Sequence, residues 1–523
     1  MPTLNWIGKD KVVNHHLDVP FRTLEKKYTF ASEGQDDGGN MIIHGDNLDA
    51  LKALLPKYEG RVKCIYIDPP YNTGNEGWVY NDNVNDPKIR KWLGEVVGKE
   101  GEDLSRHDKW LCMMYPRLKL LHKLLAEDGA IFISIDEVEI ANLKLLCSEI
   151  FGQNNHVATF VWQKRYSPDA RMAISDAHEY LLCYARSPEL FKEKRHMLPL
   201  TEAQTKQFSN PDNDPRGPWK ADNFTAPGYR PNQMYEITLP SGRVVTPPEG
   251  RCWRVTKEGF DNFTNDKRMV YGNNGDGAPA VKRFLAEMPG MVPWTWWNHE
   301  EVGHTQEGNK QLAGIMGKVV FDYPKPVRLI ERIMQIATDP DSIILDSFAG
   351  SGTTAHAVLN MNKQDGGHRK FILVEMMDYA DSITAERVKR VISGYGDGKK
   401  AVPGTDGGFS YYALGEPLLV DGLLNLNVEE SKIREYVYYT ETRQPMPEPS
   451  AEEKHLLGVH DRHAYYFYYE PDQLTTLNKA FLRTIKTRAE SYLIYADVNM
   501  LSAEEMEKFH ISFKKIPRDI ALL

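Results

Sequence analysis

Apolar positions along this chain recur at two periods, and the switches between them mark its elements. Asn40-Met41-Ile42-Ile43-His44-Gly45-Asp46 reads as a strand ending in a glycine-acid turn, and Asn47 to Leu55 carries its leucines at helical spacing. Ile65-Tyr66-Ile67 follows as a second buried strand. Residues 40–68 therefore form a strand-helix-strand unit whose strands both end in an acid, Asp46 and Asp68. Ligands of such units sit at the carboxyl ends of the strands. From Asn72 to about Asp108 the chain is loop-like, rich in Asn, Asp and Gly, with the length of a functional loop or lid. Trp110 to Leu125 predicts a helix, Gly129 to Asp136 a buried strand, and Glu139 to Phe151 a further helix.

Between about 156 and 318 that rhythm lapses; proline, glycine and aromatics crowd in and strands look short. It returns with a helix over Val327 to Ala337, a strand over Ser342 to Asp346, a helix from Ala355 and a strand over Phe371 to Glu375. Further on, Ala464 to Tyr469 and Ser491 to Tyr495 read as strands. Ser502 and Glu505 form a capping box at the head of a helix, and Ile511-Ser512-Phe513 is a strand after it. The expected fold is a Rossmann-like α/β sheet, doubly wound and mixed, interrupted by an insert and followed by a small α/β domain. Its expected parts are an arm over 1–38, one half of the sheet over 39–155, the insert over 156–318, the second half over 319–400 and a C-terminal domain over 401–523.

Composition changes the picture in three places. A length of 523 residues at 41% apolar content suits roughly two to four domains with sizeable cores. The net charge of −9 argues against a wholesale polycation that holds nucleic acid by charge alone. The insert is the relatively basic part, with 21 Lys and Arg against 19 Asp and Glu, whereas residues 401–523 hold 13 basic and 19 acidic side chains. Lys164-Arg165, Arg251, Arg254 and Lys267-Arg268 lie among aromatics, a mixture that suits either a nucleic-acid surface or a polar insert with a small tryptophan core. Five scattered cysteines form no CxxC pair, which points to a reducing cytoplasm. No apolar run approaches a membrane span, and the polar N-terminus looks like no targeting peptide.

Two stretches carry candidate chemistry. Asp68-Pro69-Pro70-Tyr71 leaves its strand stiff and extended, because neither proline donates a hydrogen bond and the first drives Asp68 out of helical geometry. An amino group held there would meet the Asp68 carboxylate and a prolyl carbonyl, with Tyr71 placed to stack on a flat partner. A plain proline turn, with Asp68 capping and Tyr71 in the core, is the alternative. The second stretch is Gly350-x-Gly352-x-x-Ala355, set between a strand and a helix, with Glu375 some residues on. That pattern allows close backbone approach to a nucleotide-like ligand, plus an acid for ribose hydroxyls. Alone it also fits a nicotinamide-dependent oxidoreductase. Thr353-Thr354 excludes a P-loop, and Ser351 lacks the frame of a nucleophile elbow. The spacing of His44, His299 and His304 matches no metal-ligand set, so no metal is expected.

Taken together, Asp68-Pro69-Pro70-Tyr71 and Phe348-x-Gly350-x-Gly352 resemble the amino-group DNA methyltransferases that use S-adenosylmethionine. The order of the two motifs, with an insert between them, is similar to the beta class, in which the insert recognises the target; Asp at position 68 favours adenine N6 over cytosine N4. Ile43 to Leu51, Asp68 to Gly74 and Asn298 to Gln306 are similar to the modification subunits of type III restriction-modification systems. The resemblance implies a methyltransferase sheet in which Asp68, Pro69, Pro70 and Tyr71 serve the target base. It implies Glu375 on the ribose, Asp46 near the adenine and Phe348 along the cofactor. Asp68, Asp346, Gly350 and Gly352 fall in the same cofactor site, with Lys325 and Thr353 toward its carboxylate end. It further implies double-stranded DNA as substrate, a homodimer and a helicase-nuclease partner. A solitary methyltransferase and a catalytically idle DNA-binding module are the other readings left open.

Overall fold

The computed structural model describes residues 3–72, 91, 94–95 and 106–518. It divides into two compact units, one of Met1–His196 with Trp294–Leu523 and the other of Met197–Pro293. Most of the loop expected between Asn72 and Asp108 lies outside the described residues.

The larger unit is built on a ten-stranded sheet. Its strands in chain order are β1 (Arg22–Ala31), β2 (Met41–His44), β3 (Val62–Ile67), β4 (Leu125–Ile135), β5 (His156–Gln163), β6 (His178–Ala185), β7 (Trp296–Trp297), β8 (Ile343–Asp346), β9 (Lys370–Glu375) and β10 (Gly408–Pro417). Across the sheet they run β1-β10-β2-β9-β8-β3-β4-β6-β5-β7. The six from β10 to β4 are mutually parallel, while β1 and β6 run antiparallel to their neighbours. Helices α1 (Asn47–Tyr58), α2 (Arg106–Leu124), α3 (Ile140–Phe151), α4 (Thr305–Met316), α5 (Val327–Ala337), α6 (Thr353–Asp365) and α7 (Glu386–Ser393) accompany it. The central strands are buried along nearly their whole length, as parallel strands covered on both faces must be. In α5, Leu329, Ile330, Ile333 and Ile336 are all buried, the face that the spacing predicts.

One feature of this order positions the site. From β3 the chain moves to β4 on one side, and from β8 it moves to β9 on the other, yet β3 and β8 are neighbours. Their carboxyl ends flank the switch point, where connections leave in opposite directions and open a crevice.

Three expected boundaries move. The stretch expected as an arm over 1–38 holds short helices at Lys9–Val12 and His15–Asp18, then β1, a ten-residue strand that joins the sheet at its edge. The insert is narrower than 156–318, because β6 pairs antiparallel with β4 and β5 with β6, which extends the central sheet, and the separate unit is Met197–Pro293. The region past 400 is not wholly apart either, since β10 lies between β1 and β2. Beyond it, strands Leu456–His460, His463–Phe467, Ser491–Ala496 and Ile511–Lys515 form a second sheet in chain order. The Ser502–Glu505 capping box is present with both of its hydrogen bonds. Met197–Pro293 has its own core of Phe224, Ile237, Leu239, Trp253, Phe260 and Val281.

Candidate active site

Asp68 follows the last residue of β3, and Asp346 is the last residue of β8. Both face one cavity of about 600 Å³, together with Pro69, Tyr71, Glu179, Lys325, Phe348, Gly350 and Thr353. Such a volume suits a small organic ligand. Two motifs more than two hundred residues apart in sequence are thus brought to one crevice.

The acidic corner is held from several sides. Trp110 of α2 donates its indole N–H to the Pro70 carbonyl at 2.7 Å, which turns that carbonyl away from the cavity. Asn72 ends the motif at φ +61°, unusual for a residue with a side chain, and donates to the buried Glu139 carboxylate at 2.5 Å. The Tyr71 hydroxyl lies 2.8 Å from Asp68 and 3.1 Å from Glu179, its single hydrogen shared between the two carboxylates. The Lys325 ammonium donates to both Asp68 oxygens, at 2.9 and 2.8 Å, and lies 5.0 Å from the centre of the Tyr71 ring. Lys164 donates to Glu179 at 3.1 Å. Burial pushes the Asp68 carboxyl up, and the Lys325 ammonium draws part of that back. At Glu179 burial again raises, but Lys325 and Lys164 outweigh it and leave the group low. An ammonium on Asp68 shows what this corner accepts: a nitrogen with hydrogens to give, set against an aromatic face.

The opposite wall is the glycine turn between β8 and α6. Gly350 and Gly352 take φ of +51° and +79°, the left-handed region that glycine enters without steric cost. Asp346 accepts the Phe348 N–H at 3.0 Å and the Thr354 hydroxyl at 2.6 Å. Glu375, at the end of β9, accepts the Gly350 N–H at 2.8 Å and the Met377 N–H at 2.9 Å. Thr384 donates to the Gly350 carbonyl at 2.6 Å. Behind the turn the fully buried Arg387 donates to the Ser351 and Thr353 hydroxyls at 2.9 and 2.8 Å, and burial lowers its pKa to about 9.

Other expected site residues are placed differently. Asp46 caps α1 by accepting the Leu48 N–H at 2.8 Å and pairs with the buried Arg117 at 3.2 Å. It lies outside the cavity lining, as do Pro70, Gly352 and Glu375. Lys325, expected toward a cofactor carboxylate, has its ammonium on Asp68, while its backbone carbonyl accepts from Thr353 at 3.3 Å. Lys164 and Arg165 line the cavity in the larger unit. In Met197–Pro293, Arg251 bonds Thr225, Arg254 pairs with Asp222 at 2.7 Å and Arg268 with Glu287 at 2.5 Å; Lys267 is exposed. His299 and His304 pack near the Tyr166 ring. Glu179, in the cavity lining, and Arg387, behind the glycine turn, are site residues that the sequence reading missed; Glu179 alone left a signal. That signal was an acid second in β6, just ahead of the run Tyr180 to Ala185.

Burial pushes Asp346 and Glu375 each up to about 7. A carboxyl whose folded pKa stands above its unfolded value binds an extra proton in the folded state between the two values. Stability from such a group is therefore present at acid pH and is lost as pH rises toward about 7. The expected result is a melting temperature that declines from pH 5 to pH 8, with a shallower decline in Asp346→Asn, which removes one of the two groups. Parallel profiles for the two proteins, measured by thermal melts across buffers, would deny Asp346 this role.

A family model described as DNA methylase matches residues 62–386. The chain belongs to this N6/N4 DNA methylase family. The match takes in the Asp68 corner, the glycine turn and the cavity between them. Among curated relatives, this DNA methylase chain is 34% identical over 453 residues to the Mod subunit of the StyLTI type III restriction-modification enzyme of Salmonella typhimurium, covering 79% of this chain and 66% of the relative. It is 34% identical over 420 residues to the EcoPI Mod subunit of Escherichia phage P1, covering 71% and 63%. To the type II methyltransferase M.KpnI of Klebsiella pneumoniae it is 32% identical over 369 residues, covering 65% and 81%. The chain thus spans just under two thirds of the length of the two Mod subunits.

Proposed function

We propose that this chain moves a methyl group from S-adenosylmethionine to N6 of an adenine flipped out of double-stranded DNA, as the modification and recognition component of a type III restriction-modification system. The observation that carries the reading is the shared cavity, with an acceptor-lined corner on one wall and a glycine turn on the other.

The glycine turn fits the cofactor: at Gly350 a Cβ would stand 3.3 Å from the Phe321 ring, closer than ordinary contact, so bare backbone forms the wall there. Phe348, Gly350 and Thr353 would hold S-adenosylmethionine, with Asp346 and Glu375 fixing the turn from behind and Asp46 bracing the neighbouring strand end. Bound there, it supplies a methyl group made electrophilic by its sulfonium. The chain's own residues do the remainder. Adenine N6 is a poor nucleophile because its lone pair is delocalised into the ring. Asp68 and the Pro69 carbonyl each accept one N–H, which favours a tetrahedral nitrogen, and their pull grows as positive charge develops there. Tyr71, tethered through its hydroxyl, offers its ring to the extruded base. Lys325 occupies Asp68 until the amine displaces it. Asp68 or water then takes the surplus proton.

Met197–Pro293, with Arg251, Arg254, Lys267 and Arg268, is the proposed recognition unit, and Lys164 and Arg165 are proposed DNA contacts beside the cavity. A homodimer and a helicase-nuclease partner belong to the same proposal; the relatives' designation as Mod subunits of type III restriction-modification enzymes supports a partner subunit. All five cysteines are buried and outside disulfides, which supports a reducing cytoplasm, and no described helix is long and apolar enough to cross a membrane. The test is transfer of labelled methyl from S-adenosylmethionine by the full chain to plasmid DNA from a methylation-free host, followed by sequencing that reads modified bases. N6-methyladenine within one short motif is the expected result. Absence of label from DNA, or methyl on cytosine N4, overturns the reading.

A further inference from the structure

Ile174 is 85% exposed, the largest exposure among the big apolar side chains of the described residues. It sits in the loop that joins β5 to β6, together with Met172 at 55% and Tyr166 at 57%. One exposed aliphatic residue is ordinary, but three in one loop beside a cavity mark a contact surface. The loop is well tied. Lys164 and Arg165 donate their N–H groups to the Ala177 carbonyl at 2.9 and 3.3 Å, closing its base. Within it, Asp169 accepts the Met172 N–H on its carbonyl at 3.1 Å, donates its own N–H to the Ser175 hydroxyl at 2.8 Å and holds the Arg171 guanidinium at 2.9 and 2.7 Å. Residues 164–170 line the cavity that holds Asp68. The Tyr166 ring meets His304 edge to face at 5.2 Å. The first half of the loop, which carries Arg165, is therefore cavity wall, and the second half is an apolar tip, Met172 and Ile174, directly after Arg171.

We propose that this tip is a wedge for the DNA stack: Ile174 enters the place left by the extruded base, and Arg165 and Arg171 meet the flanking phosphates. The inference rests on the methyltransferase reading and adds the side chain that replaces the target in the helix. A vacated base position is a slot between two flat apolar faces with phosphates on its rim. An aliphatic tip on a loop that also carries two arginines matches both parts of that surface. The loop's other half walls the pocket that would receive the base, so extrusion and filling belong to one element. Another protein docking on the tip would give no reason for that coupling.

The test compares the full chain with Ile174→Ala on two duplexes bearing the motif that the plasmid experiment identifies. In one the target adenine faces thymine; in the other it faces an abasic site, so the base leaves the helix without a pairing cost. Exposure of Ile174 makes the substitution harmless to folding. On the paired duplex kcat/KM falls about tenfold or more, and on the abasic duplex the variant returns to within about twofold of the wild type. Equal loss on both duplexes overturns the wedge. So does no loss on either, which leaves a protein as the occupant of the tip. A wild-type chain that methylates no DNA removes the methyltransferase reading itself, and the wedge with it.

Discussion

Asp68→Ala lowers methyl transfer to DNA by about a hundredfold to a thousandfold, while S-adenosylmethionine binding stays within about threefold of the wild type. The size follows from what the carboxylate does in the proposed reaction. It is an anion facing a nitrogen that gains positive charge, in a cavity whose burial already pushes the Asp68 carboxyl up. Its attraction for the amine is therefore stronger at the transition state than at the start, and losing it falls on kcat more than on KM. Cofactor binding is spared because Asp68 stands on the wall formed by β3, whereas Phe348 and Gly350 belong to the turn after β8. The variant also leaves the Lys325 ammonium without its carboxylate, but Glu179 lies 3.8 Å away and can take that charge. Asp68→Asn keeps one acceptor oxygen and loses the charge, so its rate falls between the two. Single-turnover methyl transfer and equilibrium cofactor binding measure the pair of effects. Wild-type rates in Asp68→Ala would remove this residue from the chemistry.

The strand ends were legible in the sequence because each sets an acid directly after an apolar run, as Ile65-Tyr66-Ile67-Asp68 and Ile343-Ile344-Leu345-Asp346 do. Their convergence was legible only through the resemblance, since periodicity says nothing of which strands become neighbours. Edge elements were hidden for a physical reason. In β1, Glu25, Lys26 and Lys27 are exposed on a strand whose outer side has no partner strand among the described residues, and charges there guard against pairing with another chain. That same protection erases the alternation that would announce a strand. The hairpin of β5 and β6 was assigned to the insert because its membership of the sheet depends on pairing with β4, a non-local contact. Lys325 reaches Asp68 across 257 residues, and no local pattern encodes such a meeting. Arg387 was likewise invisible: its role is to be buried behind a turn that lies on another element.

Gly350→Val lowers affinity for S-adenosylmethionine by about a hundredfold or more and removes methyl transfer with it. Three restraints act at this position together. The backbone sits at φ +51°, where a β-branched residue is strained by about 1–2 kcal/mol. A Cβ placed there stands 3.3 Å from the Phe321 ring, itself 7% exposed and packed edge to face on Tyr379 at 5.5 Å, so the ring has little room to yield. The turn cannot swing aside, because its N–H is held by Glu375 and its carbonyl by Thr384. The added methyl groups must therefore either break those bonds or stand in the cavity that Gly350 lines. Gly350→Ala, with one carbon, meets the strain but less of the obstruction, and its loss is smaller, about tenfold. Titration calorimetry with the cofactor reads both variants, and circular dichroism checks that the sheet persists. The contrast with Asp68→Ala is the decisive part: one variant keeps the cofactor and loses the reaction, the other loses the cofactor first. Cofactor affinity in Gly350→Val within about threefold of the wild type would move the cofactor away from the glycine turn and leave Asp68 facing a cavity without a donor.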